Sequence, residues 1–258
     1  MPRIWLLGRV LLALIGIFAL VANPLGSKVR ADSSYGHQYA IAYQDSESYT
    51  GVKADIEVAA PILRDCVTGG CWSSDTLSSA KVAILNGPAE NLKWVEMGWT
   101  KHAATACAIR HYWAIQPGTP HFVDWPMPMI GQRYEYRIAQ DQAGSLWSVT
   151  VYHVDSSGTR ISKDWWNYEV NPSFTVGDEI QAFGETFYSW ANDMGVSGLL
   201  DLHWRDTGSD WHGWHGWEEK ERGDTPPYTV IGVPPDDDDN IQVYGNQGNP
   251  VPPNAACP

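Results

Sequence analysis

A chain of 258 residues with 43% hydrophobic side chains is long enough for one large domain, or two small ones, with a proper core. Its formal net charge of −13 excludes the basic footprint that nucleic acid requires. The 14 Trp, 24 Gly and 17 Pro, with no long helical periodicity, exclude a helical bundle and favour an all-β domain rich in turns.

Arg3 and Arg9 flank and interrupt an apolar run over residues 4–22, and a Val29-Arg30-Ala31 step follows it. This pattern reads as a secretory signal over residues 1–31, giving a mature chain that starts at Asp32 outside the cell. An uncleaved membrane anchor is the alternative that the length of the run leaves open. Nothing later in the sequence is a spanning segment, so no stable membrane association is expected after cleavage. Residues 32–48 are polar and read as a loosely held lead-in to a single domain over residues 49–245.

That domain opens on a clear half-buried strand. Val52, Ala54, Ile56 and Val58 alternate with Lys53, Asp55 and Glu57, and Pro61 ends it. Cys66 and Cys71 bracket a Val-Thr-Gly-Gly turn, and a short strand over 80–85 runs into the turn Asn86-Gly87-Pro88. In residues 91–99, N-L-K-W-V-E-M-G-W, strand periodicity sends Trp94, Glu96 and Gly98 to one face and Val95, Met97 and Trp99 to the other. Residues 107–115 form a further strand with Arg110 and Tyr112 on one face, His111 and Trp113 on the other. Four prolines make 116–131 a long loop. Strands follow around Tyr134, Tyr136 and Ile138, and over 146–154, the latter leading through Ser156-Ser157-Gly158 into 159–168. Gly177-Asp178 leads into 180–187, I-Q-A-F-G-E-T-F, where Glu185 shares a face with Phe183. Leu200, Leu202 and Trp204 suit one more strand, and 228–233 a last one. Between them lies a Gly-spaced aromatic loop, 210–217, and the chain ends in an Asp-rich run and a Pro-rich tail over 246–258. Frequent turns without a βαβ rhythm indicate an all-β, antiparallel β-sandwich of two sheets.

Four cysteines in an exported chain point to disulfides. Cys66 and Cys71 could close a small ring, and Cys107 with Cys257 is then the leftover pairing, which would pin the tail; the sequence leaves the connectivity open. No close Cys or Cys/His set has zinc spacing, and no metal or other cofactor is expected. His212 and His215 lie three apart in the aromatic loop without an obvious third ligand.

The chemistry rests on acids. Glu96 and Glu185 are each set among aromatics on a strand, which is what a carboxyl pair with separated proton affinities requires. On an exposed face either one is instead an ordinary solvated residue. There is no G-x-S-x-G elbow, no Cys–His arrangement and no phosphate loop.

Five stretches carry a family resemblance: Y-T-G-V-K-A-D-I-E-V-A-A-P (49–61), N-G-P-A-E-N-L-K-W-V-E-M-G-W (86–99), R-H-Y-W (110–113), F-G-E (183–185) and M-G-V-S-G (194–198). In this order they resemble the neprosin-domain proteins, of the glutamic peptidase type. The resemblance implies two curved antiparallel sheets with a cleft on one concave face. It also implies catalytic glutamates at Glu96 and Glu185, and hydrolysis of peptides or proteins in acid, in some members after proline.

Around such a pair, Trp94 and Trp99 are candidate cleft walls, Arg110 and Tyr112 candidate holders of a substrate carbonyl, and Gln181 a candidate oxyanion donor. Core packing, a surface strand pair and a solvated strand end are their bland alternatives. Two functions compete with a metal-independent peptidase. One is a two-carboxylate glycosidase. The other is a non-catalytic carbohydrate- or protein-binding β-sandwich, with Trp166, Trp211, Trp214 and Trp217 exposed for stacking.

Overall fold

The computed structural model describes residues 38–67, 70–71, 76–116, 118–123, 127–141, 143–144, 146–161, 166–187, 193–222, 228–233, 239–245 and 255–257. The expected signal and most of the Pro-rich tail lie outside them. Among the described residues there is no α-helix, only two short 3-10 turns at Ala89–Asn91 and Ala103–Thr105. None is long and apolar enough to cross a membrane.

The chain opens with β1 (Gln38–Gln44), β2 (Gly51–Glu57), β3 (Leu63–Val67), β4 (Gly70–Cys71) and β5 (Leu77–Asn86). It continues through β6 (Lys93–His102), β7 (Ile109–Ile115), β8 (His121–Val123), β9 (Arg133–Gln140) and β10 (Trp147–Val154). Then come β11 (Trp166–Val170), β12 (Glu179–Phe187), β13 (Gly195–Arg205) and β14 (Trp211–Gly213). The last four are β15 (Glu218–Arg222), β16 (Tyr228–Gly232), β17 (Ile241–Gly245) and β18 (Ala255–Cys257). Among the described residues, one sheet runs β15-β1-β12-β5-β6-β7-β8 and a second β11-β10-β9-β2-β13-β17-β16, with β14 added on β13. A small third sheet joins β18, β3 and β4. Every pairing among the described residues is antiparallel, as frequent turns without a βαβ rhythm imply.

Alternation explains the core. On β2, Val52, Ala54 and Ile56 are fully buried. They share one core with Tyr134, Tyr136 and Ile138 of β9, Trp147, Val149 and Val151 of β10, and Ala80, Val82 and Ile84 of β5. From β6 the core takes Val95, Met97 and Trp99. His111 of β7 also points inward, with Nδ1 2.8 Å from the Tyr136 hydroxyl. Burial lowers its pKa to about 3, so the ring stays neutral and hydrogen-bonds the core rather than charging it.

Three expectations need correction. Residues 38–44 are not a loose lead-in: they form β1, paired on both sides by β12 and β15. The 116–131 loop contains β8, which pairs with β7. The aromatic loop is tied to the second sheet by β14, and Trp214 is fully buried there while Trp166 is nearly so. Neither can stack on a sugar ring from solvent. His212 faces Asp206 at 3.0 Å.

Cys66 and Cys71 are register partners in the β3–β4 hairpin. Cys107 is disulfide-bonded and packs on Leu63, which is the register partner of Cys257.

Gly98 shows how tightly β5 and β6 approach. A Cβ added there lies 2.0 Å from the Ala80 carbonyl oxygen and 2.8 Å from the Lys81 Cα. Both are backbone atoms of a central strand, so neither can swing away. Gly98→Ala is expected to destabilise the fold by at least about 2 kcal/mol, read as a lower urea midpoint at unchanged slope. A wild-type midpoint means that the two strands separate without cost.

On the outer face of the second sheet Asp55 is buried beside its register partner Glu135. Glu135 is held by Arg160, with Nη2 at 2.5 Å and Nε at 3.2 Å. Burial first, then Asp201 and Glu135, push the Asp55 carboxyl from 3.8 up to about 7, against the pull of Lys53 and Arg133. A raised carboxyl pKa adds stability that is fully present below 3.8 and lost as the pH rises through about 7. His111 works in the opposite sense, so the comparison with Asp55→Asn isolates the effect. The variant is expected to melt above wild type at pH 8, with the gap closing by pH 4. A gap independent of pH contradicts this.

Candidate active site

The first sheet has one face in the core and one away from it. Register places the residues of the second face in rungs. Tyr39 on β1, Glu185 on β12, Ser79 on β5, Thr100 on β6 and Arg110 on β7 form one rung. Ile41, Phe183, Lys81, Gly98 and Tyr112 form the next. Tyr43, Gln181, Ala83, Glu96 and Ala114 form the third. Glu185 and Glu96 therefore stand diagonally across β5, on one face, and the side chain between them is Lys81.

Lys81 is almost fully buried, with 4% of its side chain exposed. Its Nζ donates to Glu96 Oε1 at 3.2 Å, to the Tyr112 hydroxyl at 3.3 Å, and to Glu185 Oε2. An ammonium has three N–H donors, and here three oxygens receive them. Two oxygens that share one nitrogen partner are no further apart than about 6.5 Å, twice a hydrogen-bond length. The Tyr112 and Phe183 rings flank the charge, with centroids 5.0 and 5.1 Å from Nζ. Glu185 has 5% of its side chain exposed and Glu96 12%.

Burial pulls Lys81 toward the neutral amine, but Glu185 and then Glu96 outweigh it and raise its pKa. The lysine is thus a fixed cation and not a nucleophile. On β1, Tyr39 also bonds Glu185 through its hydroxyl, and its ring lies 6.1 Å from that of Phe183. Burial, then the charge of Glu185, raises the Tyr39 pKa well above the usual phenol value, so it remains an O–H donor.

The other sequence candidates divide. Tyr112 joins the group through Lys81. Arg110 is on the same face, one rung from Tyr112 and level with Glu185. Gln181 is level with Glu96 across Ala83, is nearly buried, and donates to Glu179 Oε1 rather than lying at a solvated strand end. Trp94 is half-buried on the same face. Trp99 is not: its odd position on β6 turns it into the core, fully buried, with Nε1 donating to the Glu57 carbonyl at 3.0 Å. It cannot wall a site on the other face.

Sequence reasoning missed Lys81 and Tyr39. A signal for Lys81 was present: it is a single charge in S-S-A-K-V-A-I-L, a strand otherwise of small and apolar residues. A charge so placed must find partners when buried.

No family model matches the chain, and no curated protein matches it. Among solved structures it is similar to scytalido-glutamic peptidase with a transition state analog inhibitor. That match has a TM-score of 0.56 and 9% identity, covering 81% of this chain and 98% of the other. A structure of scytalido-glutamic peptidase with a peptide-based transition state analog matches over the same shares, with a TM-score of 0.53 and 10% identity. At such identities the likeness is one of fold: two antiparallel sheets arranged as in a glutamic peptidase.

Proposed function

We propose that this chain is a secreted, neprosin-type glutamic endopeptidase that hydrolyses peptide bonds in acid with Glu96 and Glu185. The observation that supports it is the meeting of two carboxylates at one nitrogen, on one face of a glutamic peptidase-like fold. Their surroundings support one division of labour. Glu185, bonded by an ammonium and a phenol, is the one kept as carboxylate. It takes a proton from water as that water attacks the scissile carbonyl. Glu96, with the more exposed side chain of the two, is assigned the role of acid. It hydrogen-bonds the carbonyl oxygen and then donates its proton to the leaving amine. Trp94, Arg110 and Gln181 lie on the same face and supply contacts for the peptide on either side. Cleavage after proline belongs to this reading through the sequence resemblance.

Purified mature protein should cleave a proline-containing peptide library at acid pH and leave polysaccharides intact. Polysaccharide hydrolysis, or glycan binding with no peptide cleaved, overturns the proposal. Export by signal cleavage belongs to the same reading, as do the pairs Cys66–Cys71 and Cys107–Cys257. Mass spectrometry of secreted material should show an N-terminus near Asp32; recovery of only the full-length chain in membranes contradicts it.

A further inference from the structure

We infer that Lys81 is a positioning residue that clamps Glu96 and Glu185 into one geometry and confines the pair's activity to acid. The inference rests on the proposed peptidase reading for its activity arm only. The geometry is specific. β5 is the central strand of the site, and its site face is otherwise small near the lysine, with Ser79 and Ala83 on either side. Gly98, on the same rung, adds no side chain over it. The long lysine stem thus has room to stand between the acids, and its three donors are taken up by Glu96, Glu185 and Tyr112.

The charged and titratable groups that face this ammonium come from four strands. They are Tyr39 of β1, Glu185 of β12, Glu96 of β6 and Tyr112 of β7, with Arg110 of β7 one rung away. With the lysine charged, the trio carries one net negative charge. Each carboxylate is stabilised as an anion by a cation at hydrogen-bond distance. Two carboxylates as close as these, without a cation, share a proton well above the ordinary carboxylate range. Lys81 removes the need for that proton near neutrality. A general acid then appears only when solution protons compete successfully with the ammonium. The lysine acts through the glutamates and touches no substrate atom in this scheme.

The test compares wild type, Lys81→Met and Lys81→Arg in two readouts. In the pH profile of peptide kcat/KM, the alkaline limb of Lys81→Met is expected to move up by at least about 1 unit, while Lys81→Arg stays near wild type. The second readout needs no activity: carboxyl resonances of 13C-glutamate-labelled protein, assigned with Glu96→Gln and Glu185→Gln. In Lys81→Met at least one of the two carboxyls should titrate at higher pH than in wild type. A folded Lys81→Met with an unmoved limb and unmoved resonances overturns the inference. If Lys81→Met does not fold, the wild-type spectrum decides: both carboxyls must be ionised at pH 6, and one still protonated there overturns it. Moved resonances in a protein that cleaves no peptide overturn the peptidase reading and leave the role of Lys81 standing.

Discussion

Glu185→Gln is expected to lower acid-pH kcat/KM on a susceptible peptide by at least about 1000-fold, and Glu96→Gln by a similar factor, with the fold intact. Glutamine has the shape of glutamate and can still accept a hydrogen bond from Lys81 or Tyr39, but it cannot take a proton from water or give one to an amine. General acid or base catalysis by one group accounts for about 10²–10⁴ in rate. A pair that acts as a unit loses nearly all of that on losing either member, so the double variant should be no slower than the worse single. The structure also separates the three variants by stability. Each single variant leaves the buried ammonium one carboxylate partner. The double variant leaves it none, and an uncompensated buried charge costs about 3–5 kcal/mol. Natively folded single variants should therefore accompany a visibly destabilised double. Retention of more than a tenth of the activity in either folded single variant removes that glutamate from the mechanism.

Local alternation made much of the fold legible. Val52, Ala54 and Ile56 on β2, or Tyr134, Tyr136 and Ile138 on β9, show which side is buried without reference to anything distant. The same rule placed Glu96 opposite Val95, Met97 and Trp99, and should have kept Trp99 out of the site at once. It fails where the strand itself is irregular. On β13 the register shifts between Leu200 and His203, and Asp201 has φ of 51°. Leu199 and Leu202 are consequently both in the core, and Leu200 is only half-buried. An even spacing of Leu200, Leu202 and Trp204 suggests one common face, which the bulge undoes. The site was legible only in part for a different reason. Glu96 and Glu185 announce themselves by their aromatic neighbours in sequence. Lys81 is meaningful only through partners 15 and 104 residues away. Tyr39 opens the short apolar run Y-A-I-A-Y, a strand signal that the polar residues around it masked, and it meets Glu185 only because β12 pairs with β1. Such roles are created by strand order, which single-strand periodicity does not contain.

Lys81→Met is expected to destabilise the protein by about 3–5 kcal/mol near neutral pH and by clearly less at pH 4. Methionine fills much of the volume of the lysine stem, so the loss is mainly electrostatic: two carboxylates remain buried close together with no cation. Their charged forms are then disfavoured in the folded state, and their folded proton affinity rises above the unfolded one. Groups shifted in this direction contribute stability that is present below the unfolded carboxylate range and is lost as the pH rises through the folded value. The deficit of the variant must therefore grow from acid to neutral. Adding Glu185→Gln to Lys81→Met removes one of the two repelling charges, so part of the neutral-pH loss should return. That coupling, of either single change on the other, is the signature of direct charge pairing. Urea unfolding of the four proteins of this cycle at pH 4 and pH 7.5 gives the answer. A deficit equal at both values, unrelieved by Glu185→Gln, would assign the cost to lost packing on β5 and dissolve the ion triad as the organising feature of the site.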